Sequence, residues 1–110
     1  MTGPAVPEVS VAQVPSDAAL LDVREPDEWT AGHAPGATHL PMSELPGRMD
    51  ELPDDDPLYV ICRSGGRSAR VVAYLAGQGY SAVNVEGGMR AWAQQGRAVV
   101  ADGGASPQII

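Results

Sequence analysis

Short apolar runs alternate along the chain with segments in which apolar residues recur at helical spacing. The apolar runs predict five β-strands, at residues 8–11, 19–23, 38–40, 58–61 and 81–85. The remaining periodic segments predict helices that open at residues 25–29 and cover residues 44–52, 69–78 and 89–95. Because strands and helices alternate with short connections, we expect an α/β fold with a five-stranded, mainly parallel sheet covered by helices on both faces.

The same pattern divides the chain into three parts. Residues 1–7 contain frequent Gly and Pro and no periodicity, so they predict a flexible N-terminal leader. Residues 8–96 hold all the predicted elements and are expected to form one domain, long enough to bury a continuous core. Residues 97–110 are a weakly patterned C-terminal tail, whose apolar residues are compatible with docking or with free movement.

The single cysteine stands at the junction between the fourth predicted strand and the helix that follows it. The Cys62 loop, which we define as residues 62–68, also contains two arginines and two glycines. Amide groups in such a loop and in the first helical turn lack intrahelical acceptors, and inward-pointing amides favour an anion. A helix N-terminus and nearby arginines also lower the pKa of a thiol. We therefore predict a reactive thiolate at Cys62 instead of an inert, packed cysteine.

Composition narrows the classes of function. The chain has 14 acidic residues against seven arginines and no lysine, and its formal net charge of −7 argues against nucleic-acid and membrane partners. A lone cysteine excludes an internal disulfide, so any group bound to it must pass to an outside molecule. The N-terminus shows no signal-peptide pattern, which predicts a cytoplasmic protein. We expect no cofactor and no metal site, since no cofactor motif is visible and His33 and His39 lack the spacing of metal ligands.

Four motifs resemble signatures of the rhodanese family, and they occur in the order expected of that family. They are LLDVREPDEW at residues 20–29, GHAPGA at 32–37, CRSGGRS at 62–68 and EGGMRAW at 86–92. The resemblance extends over about residues 8–96. The chain is therefore similar to a single-domain rhodanese.

The resemblance implies a sulfurtransferase that takes sulfane sulfur from thiosulfate or a similar donor and passes it to a thiophilic acceptor such as cyanide. Catalytic Cys62 would carry the sulfur as a persulfide, in two half-reactions. The substrate-binding residues would be Arg63, Ser64, Gly65, Gly66, Arg67 and Ser68. Arg67 is the first candidate for binding the donor oxyanion and Arg63 is the second. Asp22 and Arg24 would support the loop, or form a salt bridge with a purely structural role.

Two alternatives remain open at this point. The first is a persulfide carrier or interaction module that hands sulfur to a protein partner. The second is a phosphatase or arsenate reductase on the same fold, whose loop would place five residues between the cysteine and a phosphate-binding arginine. Here only four residues separate Cys62 from Arg67, and the smaller loop suits a sulfur atom better than a tetrahedral phosphate.

Overall fold

The computed structural model describes residues 6–110 and has an α/β architecture. Its strands are β1 (Glu8–Val9), β2 (Leu20–Asp22), β3 (Thr38–His39), β4 (Leu58–Ile61) and β5 (Ala82–Val85). Its α-helices are α1 (Pro26–Ala31), α2 (Gly66–Gly77) and α3 (Gly88–Gln94). The strands pair in the order β1-β5-β4-β2-β3, and all four pairings are parallel. The predicted fold class is therefore confirmed.

The central strand β4 and its neighbour β2 bury apolar side chains on both faces of the sheet. Successive residues of a strand point to opposite faces, so Leu21 and Val60 join one core cluster, which includes Leu75 of α2. Leu20 and Ile61 join a second cluster, on the α3 side, that includes the following buried residues: Val85, Met89 and Trp92. Coverage of both faces explains why these strands are apolar runs without alternation.

The segment predicted as a helix over residues 44–52 is instead two short 3-10 turns, Leu45–Gly47 and Met49–Glu51. Pro46 disfavours the helical conformation of the residue before it, and Gly47 is a weak helix former, so the chain turns twice instead of continuing. The apolar positions are nevertheless buried as their spacing indicates, since Leu45 and Leu52 both pack in the core.

The first strand is also shorter than predicted, because Val11–Gln13 forms a 3-10 turn. The Gln13 side chain accepts a hydrogen bond from the Ser10 amide at 2.9 Å, which closes this turn. Of the predicted leader, residues 1–5 lie outside the described residues. The Pro7 carbonyl accepts a hydrogen bond from the Asn84 amide at 2.8 Å. The helices of residues 6–110 include none with the length and apolar composition needed to cross a bilayer.

The C-terminal tail lies against the domain. Val100 and His33 form an antiparallel bridge, and the Gln108 amide donates to the Ala31 carbonyl at 2.8 Å. The tail passes so close to Gly32 that a Cβ there would overlap the Gln108 carbonyl. The sequence was compatible with a docked tail and with a freely moving one, and in the structure the tail is docked.

Candidate active site

Cys62 directly follows β4, at the edge of the sheet where the carboxyl ends of the parallel strands meet. Ligands bind at this edge in open α/β sheets. The Cys62 side chain is buried, and α2 begins four residues later at Gly66. The strand–loop–helix junction expected from the sequence is therefore present.

Hydrogen-bond donors of the loop converge on the Cys62 sulfur. The Gly65 amide lies 3.1 Å from Sγ and the Ser68 hydroxyl oxygen lies 3.2 Å from it. Burial raises the pKa of the Cys62 thiol, but hydrogen bonds from the Ser68 hydroxyl and from the amides of Ser68, Gly65 and Ser64 outweigh it. The net effect is a pKa below that of an ordinary cysteine, which increases the thiolate fraction at neutral pH.

Two glycines shape the loop, one within it and one beside it. Gly65 has a φ of 108°, a left-handed conformation that a residue with a Cβ adopts only under strain. Gly88, at the start of α3, approaches the loop so closely that a Cβ would overlap the carbonyls of Cys62 and Arg63. The Met89 amide then donates to the Cys62 carbonyl at 2.8 Å. The motif at residues 86–92 therefore packs against the backbone of the Cys62 loop and hydrogen-bonds to it.

A buried polar group behind the loop was not found by sequence reasoning. Asn84, in β5, is 1% exposed, and its Oδ1 lies 2.5 Å from the Ser68 hydroxyl oxygen. Its Nδ2 donates to the Glu8 carboxylate at 2.8 Å and to the Gly65 carbonyl at 3.2 Å. The available signal was a lone amide side chain between two valines of a buried strand, a position at which a polar group needs partners.

The two arginines of the loop have partners outside it. Arg67 makes two parallel hydrogen bonds to the Glu28 carboxylate of α1, at 2.7 and 2.9 Å. These bonds hold the pKa of the Glu28 carboxyl below its usual value, against the opposing effect of burial. Arg63 donates from Nε to the Ile110 carbonyl of the tail at 2.9 Å. In the structure, therefore, neither guanidinium hydrogen-bonds to the Cys62 sulfur.

The two supporting residues predicted at the end of β2 form a buried ion pair. Asp22 and Arg24 are both fully buried, and the guanidinium makes contacts of 2.7 to 3.0 Å to the carboxylate. Arg24 also donates to the Gly32 carbonyl at 2.7 Å, and its own carbonyl accepts a hydrogen bond from His39 Nε2 at 2.8 Å. The pair thus connects the end of β2 to the turn after α1 and to β3.

Both histidines pack on an aromatic ring. Trp29 stacks on His33 with ring centroids 3.7 Å apart and on His39 with centroids 4.8 Å apart. His33 Nδ1 donates to the Trp29 carbonyl at 2.7 Å. Within residues 6–110, no three His, Cys, Asp or Glu side chains gather as a metal site would require.

Comparisons with known proteins agree with this architecture. A model of the rhodanese-like domain matches residues 9–95. A sulfurtransferase from Allochromatium vinosum is 46% identical over 89 residues, which are 80% of this chain and 83% of that protein. A Bacillus subtilis protein named provisionally as a sulfur carrier is 42% identical over 94 residues, which cover 79% of this chain and 51% of that protein.

A solved structure matches most of the fold as well. It is a rhodanese-related protein from Thermoplasma volcanium, with a TM-score of 0.79 and 35% identity, and the match covers 86% of this chain and 97% of that one. The family match spans most of the domain and includes the Cys62 loop. The chain therefore belongs to the rhodanese-like domain family.

Proposed function

We propose that the protein is a sulfurtransferase that moves sulfane sulfur from thiosulfate or a similar donor to a thiophilic acceptor, through a persulfide on Cys62. The observation that carries this proposal is the convergence of the Gly65 amide and the Ser68 hydroxyl on the Cys62 sulfur. Donors placed in advance around a sulfur stabilise its anion without reorganisation during the reaction. The sulfurtransferase relative from Allochromatium vinosum adds support from outside the structure.

The chemistry consists of two displacements at sulfur. A lone pair of the Cys62 thiolate attacks the sulfane sulfur of thiosulfate and forms a new S–S bond, while the S–S bond of thiosulfate breaks. Sulfite leaves with the electron pair of the broken bond. Cyanide carbon then attacks the terminal sulfur of the persulfide, thiocyanate leaves, and the Cys62 thiolate is regenerated. No net oxidation of the protein takes place over the cycle.

In this mechanism, backbone amides of the loop would bind the transferred sulfur and its arginine side chains would bind the donor. The amides of residues 63–68 would hold the terminal sulfur. Arg67 would exchange its bond to Glu28 for a bond to the donor oxyanion, and Arg63 would assist after releasing the tail carbonyl. Asp22 and Arg24 would support the loop by fixing the end of β2. Small-molecule donors and acceptors, and not nucleic acid or membrane, are the partners that this acidic protein would meet.

The decisive test measures thiocyanate formation from thiosulfate and cyanide by the wild type and by Cys62→Ser. We expect turnover by the wild type, loss of turnover in the variant, and one additional sulfur on the intact mass of the wild type after thiosulfate treatment. The added sulfur should be removed by a reductant. Turnover by a folded Cys62→Ser protein would overturn the mechanism, as would hydrolysis of an aryl phosphate in place of sulfur transfer.

A second candidate function is that of a persulfide carrier for a protein acceptor. The Bacillus subtilis relative named provisionally as a sulfur carrier favours it, and the lone cysteine requires an external acceptor in either case. A reducing compartment such as the cytoplasm suits a lone reactive thiol. Stoichiometric formation of the persulfide together with very slow cyanide turnover would identify the carrier instead of the enzyme.

A further inference from the structure

We propose that Asn84 is a positioning residue that directs the Ser68 hydroxyl and thereby sets how strongly this group hydrogen-bonds to the Cys62 sulfur. This inference rests on the proposed function only in taking Cys62 as the reacting nucleophile. Asn84 belongs to β5, the strand next to β4, and its side chain is buried directly behind the loop. Its hydrogen bonds to the loop go to the Ser68 hydroxyl and the Gly65 carbonyl. Both of these residues also donate to the sulfur.

The orientation of the Asn84 amide follows from its neighbours. Its Nδ2 faces two acceptors, the Glu8 carboxylate at 2.8 Å and the Gly65 carbonyl at 3.2 Å. A flipped amide would place its oxygen against both acceptors, so Oδ1 must face Ser68. Glu8 stands opposite Asn84 in the register of β1 and β5. The edge strand thus fixes which atom of Asn84 meets the loop.

With Oδ1 of Asn84 facing Ser68, two atoms can accept a hydrogen bond from the Ser68 hydroxyl. The hydroxyl has one hydrogen and two neighbours that accept it, Asn84 Oδ1 at 2.5 Å and Cys62 Sγ at 3.2 Å. When Cys62 is a thiol, its S–H points to the Ser68 oxygen and Ser68 donates to Asn84. When Cys62 is a thiolate, the hydrogen of Ser68 turns to the sulfur. Asn84 thus holds the hydroxyl oxygen beside the sulfur in the first state, and it competes with the thiolate for the single hydrogen in the second.

Ser68 is the third residue of α2, so its own helix offers no carbonyl of a preceding turn. The Gly65 carbonyl, three residues before it, already accepts the Ala69 amide. Without Asn84, the Cys62 sulfur is therefore the acceptor left for the Ser68 hydroxyl among the contacts described above. The charged groups around the site do not replace this interaction. Glu8 of β1 reaches the sulfur only through Asn84, while Arg67 of α2 is paired with Glu28 of α1. Loss of Asn84 should therefore free the Ser68 hydrogen for the sulfur and make the thiol more acidic.

The test is the pH dependence of alkylation of the single cysteine by iodoacetamide, in the wild type, Asn84→Ala, Ser68→Ala and the double variant. We expect Asn84→Ala to lower the midpoint by about half to one pH unit, so that alkylation at a pH below the midpoint becomes about three- to tenfold faster. Ser68→Ala should instead raise the midpoint, and the double variant should resemble Ser68→Ala because Asn84 acts through the Ser68 hydroxyl. Asn84→Val, which suits a strand and fills more of the space, provides a second variant if Asn84→Ala does not fold.

A wild-type midpoint in a folded Asn84 variant, or fully additive shifts in the double variant, would overturn the inference. A merely structural role would lower the free energy of unfolding and leave the midpoint unchanged. The readout needs no sulfur donor, so it separates this inference from the proposed function. Coupled shifts without thiocyanate formation would refute sulfur transfer alone, and thiocyanate formation without coupled shifts would refute the role of Asn84 alone.

Discussion

Two carboxylate–guanidinium pairs, Asp22–Arg24 and Glu28–Arg67, have the same chemical groups in different surroundings. The side chains of the first pair are both 0% exposed, and the guanidinium also binds a backbone carbonyl. In the second pair, the Arg67 side chain is 31% exposed and the Glu28 side chain is 13% exposed. Burial decides what each pair can do, because a buried charge cannot replace its partner with water whereas a partly exposed one can.

The comparison suggests different uses for the two pairs. Asp22–Arg24 holds the end of β2 and the turn after α1 in a fixed relation, and it has no route of exchange with solvent. Glu28–Arg67 joins the first turn of α2 to α1 beside the Cys62 loop. An oxyanion that enters from solvent can compete with the Glu28 carboxylate for Arg67. The first pair is thus suited to structure and the second to ligand exchange.

The largest expected effect comes from breaking the buried pair. Arg24→Met leaves the Asp22 carboxylate buried without its counter-ion, and we expect a loss of about 3–5 kcal/mol in the free energy of unfolding. Urea denaturation followed by circular dichroism measures this loss. The matched control is Arg67→Met, which breaks the partly exposed pair and should cost at most about 1 kcal/mol. Equal losses in the two variants would remove the distinction between the pairs.

An intermediate effect is expected on donor binding. Glu28→Gln removes the charge that competes for Arg67, so the KM for thiosulfate should fall about two- to fivefold, in line with the modest energy of a partly exposed ion pair. Steady-state thiocyanate formation provides the measurement. Arg67→Ala should raise the same KM. Glu51→Gln, which weakens the exposed pair of Arg48 elsewhere on the surface, serves as control and should leave the KM unchanged.

A KM for thiosulfate that is insensitive to both Glu28→Gln and Arg67→Ala would contradict the exchange described above. It would leave Arg67 with a structural role, as a bond between α2 and α1. Arg63 would then be the remaining loop arginine to test, through the same assay on Arg63→Ala.

The smallest effect is the contribution of Glu28 to the pH dependence of stability. Arg67 lowers the pKa of the Glu28 carboxyl in the folded state, so the stabilisation is complete above the unfolded value of about 4.3 and is lost as the pH falls through the folded value. Urea denaturation of the wild type and Glu28→Gln at about pH 7 and about pH 3 tests this. The wild-type advantage should shrink at the lower pH. An advantage that is independent of pH would show that the ion pair contributes nothing to stability.

The sequence was sufficient to predict features that depend on local pattern. The strand before Cys62, the loop and the following helix are adjacent in the chain, and their residue types indicate both the junction and its chemistry. The partners of the loop are distant in sequence instead. Glu28 lies 39 residues from Arg67, and Ile110 lies 47 residues from Arg63, so no local pattern predicts either contact.

The misassigned helix has a related explanation. Leu45 and Leu52 are spaced as on a helix and are both buried, but two successive 3-10 turns also bring them to the core. Periodicity identifies which residues are buried more reliably than it identifies the backbone that buries them. Pro46 and Gly47 were the local signals in favour of the turns.

The two-residue strand β1 has a consequence beyond its small contribution to the sheet. It lies at the edge, and hydrogen bonds at sheet edges are among the first to open in native-state fluctuations. Glu8 orients the side-chain amide of Asn84, which in turn contacts Ser68. Transient fraying of β1 would therefore disturb the hydrogen bonding of the Cys62 sulfur, which lies two strands away. Hydrogen exchange at the Asn84 and Glu86 amides, which bond to the Pro7 and Val9 carbonyls, would then report on how often the nucleophile loses its alignment.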